Sequence, residues 1–191
     1  MAPITVFDFD PHHLPDEILK ALGLVAACSA QTEDVVQMGI ASVLGVDIEK
    51  GTAITAHLNA QLRDNLFRSA AEIAIDNLDH LDELDKLLDE VADASKRRNE
   101  YLHYSIYHVP KTGRCFLTKK SARGSVQVTI REITAEEIVR DAERIYIAGL
   151  NLMAFYGKAG LDDIDIPECR LDRSHKTRAA RKARRKTSTP G

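Results

Sequence analysis

From Leu81 to Val91 the apolar side chains recur at alternating steps of three and four, as Leu81, Leu84, Leu88 and Val91. Such a seam commits the segment to a long helix with one buried stripe, and therefore to a partner surface that covers it. Continued at the same steps, the seam reaches Ser95, Arg98 and Leu102. An arginine in a leucine seam needs an anion or a full set of acceptors, because a desolvated cation left unpaired is costly. Asn99 and His103, four residues apart, lie one above the other on the neighbouring face. Arg98, Asn99 and His103 thus bring a fixed cation, an amide and a titratable imidazole to one place. That set suits a phosphate and a proton transfer.

The rest of the chain reads as further helices around this one. Pro15-Asp16-Glu17 starts a first helix that runs to about Leu44 and stops at Gly45. Its inward stripe carries Ile18, Leu22, Val25, Ser29, Val36, Ile40 and Val43, with Glu33 at or beside it. A second helix is expected from Thr52 or Thr55, along Leu58, Leu62, Leu66, Ala70 and Ile73, to about Asn77, which offers an N-cap for the leucine-seam helix over roughly 79–108, where Pro110 forces an end. Lys111–Arg114 is a turn, and Cys115–Lys119 and Ser125–Arg131 alternate as a hairpin. Thr134-Ala135-Glu136-Glu137 is a capping box that opens a last helix to Gly157 or Gly160. The expected fold class is all-α: a four- to five-helix bundle with a small β-hairpin before the last helix. It occupies residues 15–160, between an irregular arm (1–14) and a linker and basic tail (161–191) that does not order itself.

Glu33 and Arg98 both interrupt inward stripes, which predicts that they pair across the bundle. His108, beside the helix break, is a second candidate proton carrier, with solvent exposure or a capping role as the plainer reading. The acidic run Asp79–Glu90 reads as a solvated helix face with some pairing to Lys86. No His, Cys or carboxylate spacing suggests a metal, and no glycine-rich phosphate loop is present, so neither a metal nor a cofactor is expected. Cys28, Cys115 and Cys169, odd in number and widely spaced, read as reduced thiols. With no signal peptide and no apolar run of membrane-spanning length, a cytoplasmic protein is expected.

Charge is distributed unevenly. Residues 170–191 carry nine Lys or Arg against Asp172 alone, a net of +8, which leaves the remainder at −11 within a chain of net −3. The Arg181–Lys186 cluster is expected to attract RNA weakly and in a salt-sensitive way.

The sequence Arg98-Asn99-Glu100-Tyr101-Leu102-His103 resembles the Arg-x4-His motif of the HEPN superfamily of helical-bundle proteins. The likeness extends over residues 15–158, to a subgroup with an acid in the first helix, here Glu33, and a hairpin before the final helix. It implies a homodimer that brings two motif helices together in a cleft, and a metal-independent endoribonuclease, such as a toxin or defence effector. In that chemistry His103 moves protons, Arg98 stabilises phosphorane charge and Asn99 orients the phosphate or holds the histidine, with Tyr104 and His108 in support. The other implied role is a non-catalytic dimer that binds nucleotide, RNA or a protein partner. In one branch an antitoxin nucleotidyltransferase modifies a tyrosine two residues after the histidine. Here that position is Ser105, and the nearby tyrosines are Tyr104 and Tyr107.

Overall fold

A computed structural model describes Asp8, residues 10–121 and residues 127–161, with the side chain of Ser121 left aside. The hairpin tip at 122–126, Cys169 and the basic tail lie outside the described residues. After a 3-10 turn at Pro11–His13 the described residues form five helices and three strands. Helix α1 spans Asp16–Val43, with Pro15 before it and Asp16 and Glu17 in its positive first turn. Helix α2 (Ile48–Thr55) is capped by Asp47, whose carboxylate accepts from Lys50 N. Helix α3 (Ala60–Ala74) is capped by Asn59. Helix α4 (Leu78–His103) is capped by Asn77, which accepts from Asp79 N and His80 N. Helix α5 (Ala135–Ala159) starts at Thr134, whose hydroxyl accepts from Glu137 N, and ends at Gly160 with φ +69°.

Two expected boundaries move. The helix expected over 52–77 is two helices: Thr55 turns its hydroxyl back onto the Gly51 carbonyl, and Asn59 then supplies a fresh N-cap. The seam helix stops at His103 rather than near 108. Tyr104 is extended (φ −104°, ψ 154°), and Ser105–Val109 forms strand β1. β1 pairs antiparallel with β2 (Arg114–Ser121), and β2 with β3 (Gln127–Ile133), in the order β1-β2-β3. The expected hairpin is therefore two strands of a three-stranded sheet. The β-branched and aromatic run Ile106-Tyr107-His108-Val109 gains a full ladder with β2 that a frayed helix end lacks.

Two apolar clusters hold the elements together. In one, Ile40 of α1, Phe67 of α3, Leu84 and Leu88 of α4, and Leu152, Phe155 and Tyr156 of α5 are buried together. In the other, Ile18, Val25 and Cys28 of α1 meet Tyr101 of α4, Cys115, Leu117 and Ile133 of the sheet, and Ile138 and Ile145 of α5. Fully buried side chains of this size contribute ~1.5–3 kcal/mol each. Helix α1 approaches α5 closely at Gly39, where an added Cβ would lie 2.2 Å from the Tyr156 hydroxyl and 2.4 Å from Phe67 Cζ. That hydroxyl donates to the Val35 carbonyl at 2.9 Å. No helix among the described residues is long and apolar enough to cross a membrane.

Candidate functional site

The last three turns of α4 lie where the two clusters meet, and their side chains are held from both sides. On one side the predicted cross-bundle pair is formed. Arg98 Nη2 is 3.1 Å from Glu33 Oε1, and Arg98 Nη1 donates to Asn99 Oδ1 at 3.1 Å. The guanidinium is thereby fixed to its own helix and to α1. Arg98 Nε is buried and has no hydrogen-bond partner among the described residues. With the two side chains 30% and 41% exposed, the ion pair contributes no more than about 1 kcal/mol of stability. Its main effect is on where the cation sits.

Glu33 also faces Arg63 of α3, whose Nη1 is 3.9 Å from Glu33 Oε2. Arg63 was not anticipated: Leu62 looked inward by spacing, yet it is 49% exposed, and Arg63 beside it is the largely covered residue. Between α1, α3 and α4 lies a cavity of about 370 Å³, lined at its polar end by Glu33, Arg63, Ser95, Arg98 and Asn99. The first residues of α3, Ala60 and Gln61, close one wall. Farther down the same helices, Arg68 of α3 reaches Asp64 (3.1 Å), Asp85 (2.6 Å) and Asp89 (2.8 Å). The acidic face of α4 is thus partly an inter-helix clamp, not only a solvated surface.

His103 is exposed on the last turn of α4 and does not line that cavity. It follows Asn99 on the same helical stripe, one turn nearer the C-terminus, so Asn99 belongs to both the cavity and the exposed stripe. Tyr104 is half-buried against the second cluster, and Lys119 Nζ lies 5.5 Å from its ring centroid. His108 is neither at a helix break nor a cap. It stands in β1 opposite Cys115, its backbone pairs with Asp8, and its Nδ1 is buried without a hydrogen-bond partner among the described residues. The structure therefore groups Glu33, Arg98 and Asn99, sets His103 one turn away, and places His108 in the sheet.

The other side of α4 carries a network that the seam did not reveal. Tyr101, not Leu102, is the buried residue here, and Leu102 is 39% exposed. The Tyr101 hydroxyl donates to Asp141 Oδ2 of α5 at 2.7 Å, and Arg131 of β3 sits over the Tyr101 ring at 5.8 Å. Burial, and then the Asp141 carboxylate, push the phenol well above its usual range, so it remains a donor at all ordinary pH. Arg131 also pairs with Glu137. Arg97, Lys119 and Arg131 surround Glu100 at 3.6, 3.7 and 3.5 Å. An acid on an inward stripe was the available signal, since Asp141 stands between Ile138 and Ile145 as Glu33 does between Ser29 and Val36. Burial raises the Cys28 and Cys115 thiols, which makes them poor nucleophiles.

Comparison of the chain with protein-family models, with curated proteins and with solved structures finds no match.

Proposed function

We propose that the chain is a metal-independent endoribonuclease of HEPN type, acting as a homodimer. The observation that carries this reading is the arrangement at the end of α4. An exposed imidazole, His103, and an amide, Asn99, share one stripe, beside a guanidinium, Arg98, that Glu33 and Asn99 hold in place. His103 takes the proton of a ribose 2′-hydroxyl as O2′ bonds to phosphorus and the bond to O5′ breaks. The products are a 2′,3′-cyclic phosphate and a 5′-hydroxyl. The leaving O5′ needs a proton, and a second His103 across a two-fold axis supplies it. Arg98 contributes its positive field to the phosphorane, and Asn99 orients the phosphate.

A partner chain is supported by α5. Tyr146, Ile147, Leu150 and Met153 are 43–52% exposed on one stripe, and no charged residue occurs from Ile145 to Gly157. Such a stripe suits a second copy better than water. A second reading, a non-catalytic dimer that binds RNA, a nucleotide or a protein, is favoured by Glu33: a carboxylate 3.1 Å from Arg98 already occupies the place a phosphate would take.

Incubation of a mixed RNA pool in EDTA separates the two. The first reading expects cyclic-phosphate ends from the wild type and a loss of about 100-fold or more in His103→Ala, typical of removing a general acid–base group. Both proteins should sediment as dimers. Absence of cleavage by the well-folded dimeric wild type leaves the binding reading.

A further inference from the structure

The cavity between α1, α3 and α4 has a polar end with more cation than anion. Its charged lining is Glu33, Arg63, Asp64, Lys96 and Arg98. Three of these are cations and two are anions, a lining charge of +1. Asp64 shares Arg68 with Asp85 and Asp89, and Lys96 is drawn to Asp93 at 2.6 Å. Arg98 is satisfied at both terminal nitrogens. Arg63 is not: it is only 18% exposed, and among the described residues its ion-pair partner is Glu33 at 3.9 Å, beyond hydrogen-bond reach. A part-covered guanidinium with no carboxylate in hydrogen-bond reach, beside an Arg98 whose Nε is buried without a partner among the described residues, favours a further anion. The start of α3 at Ala60 and Gln61 adds positive potential at the same end.

The apolar part of the wall is Val36, Leu88, Val91, Ala92 and Ile145, joined by Ser29 and Thr32, whose hydroxyls donate to the Val25 and Ile145 carbonyls, and no aromatic ring is in the lining among the described residues. A planar base would find nothing to stack on, whereas an alkyl chain finds matching surface. A volume of about 370 Å³ holds on the order of ten non-hydrogen atoms at ~30 Å³ per water-sized group. We infer that this cavity binds a small aliphatic monocarboxylate, with its carboxylate on Arg63 and its chain against Leu88 and Val91. A single negative charge neutralises the lining charge of +1, and a planar carboxylate matches the guanidinium fork. Glu33, tied to Arg98, and Asp64, which shares Arg68 with two other acids, oppose it. The inference does not depend on RNA cleavage and is read by binding alone.

Titration calorimetry of the full chain with octanoate, with octan-1-ol and AMP as comparison ligands, tests it. Saturable binding of one octanoate per chain is expected, weakened about tenfold or more by Arg63→Gln. Ser95→Phe, which fills the cavity, should abolish it. Glu33→Gln, which removes one opposing charge, should tighten it by roughly threefold or more. Circular dichroism checks the fold of each variant. Should Arg63→Gln unfold, Arg63→Lys replaces it, with a loss of about threefold or more expected from removal of the fork. No saturable octanoate binding, equal affinity for octan-1-ol, tighter binding of AMP, indifference to Arg63, or weaker binding by Glu33→Gln would each overturn the proposal.

Discussion

Tyr101 and Asp141 form the most deeply buried polar contact of the motif helix. The phenol donates to a carboxylate that is 5% exposed, and Arg144 reaches the other carboxylate oxygen only from the surface, at 3.3 Å. Removal of the phenolic oxygen leaves Asp141 Oδ2 buried with a donor missing, a defect that costs ~1–3 kcal/mol. Tyr101→Phe should therefore lower unfolding stability in urea by about 1–2 kcal/mol. Adding Asp141→Asn should cost less than the sum of the two single changes, because both act on one contact. A Tyr101→Phe loss below about 0.3 kcal/mol would mean that water replaces the phenol. At this scale the sequence was legible where polarity broke a stripe. Glu33 and Arg98 were placed opposite each other on that ground, and they pair. Tyr101 was hidden because the seam, extended by its alternating steps, pointed to Leu102. The last turn of α4 instead meets Leu117 and Ile133 of the sheet and Ile138 of α5 as well as α1, and there Tyr101 is the residue enclosed. Arg63 was hidden for a similar reason, since its neighbour Leu62 carried the apolar signal but stands in solvent.

Helix α3 matters to the candidate site through its first turn, which carries Arg63 and closes one cavity wall. That turn depends on one side chain: Asn59 Oδ1 accepts from Leu62 N at 2.9 Å. Asn59→Ala should cost about 1 kcal/mol, the usual value of an N-cap. Amide exchange should show the loss in the first turn of α3, with Leu84 and Leu88 of α4 still protected. A uniform loss of protection would instead mean that α2 and α3 unfold together with the bundle. Capping explains much of what was readable at the element level. Thr134, Asn77 and Pro15 mark three helix starts correctly, and Gly45 and Gly160 mark two ends. The α2–α3 break at 56–59 was missed because Asn59 sits inside a run whose leucine spacing still looks helical. Strand β1 was missed because the nearest breaker, Pro110, lies beyond it. Only pairing with Arg114–Thr118, a partner not local to α4, makes Ser105–Val109 extended.

At the scale of the whole molecule, the opposed charges of body and tail decide how RNA can be held. A body of net −11 repels a polyanion, so attraction must come from the local cations around Glu100 or from the +8 of residues 170–191, which lie outside the described residues. Salt dependence separates these sources, since each single-strand phosphate neutralised contributes about 0.7 to the slope of log affinity against log salt. Replacing Arg181, Lys182, Arg184, Arg185 and Lys186 by Gln in the full chain removes five positive charges and leaves every described residue untouched. If the tail supplies the attraction, the slope for a single-stranded RNA should become shallower by roughly 3, and affinity should fall most at low salt. Cleavage positions, where cleavage occurs, should stay the same, because His103 and Asn99 are not altered. An unchanged slope would put the phosphate contacts on the body instead. Arg97, Lys119 and Arg131 then become the residues to neutralise, since they crowd one glutamate at 3.5–3.7 Å beside the last turn of α4.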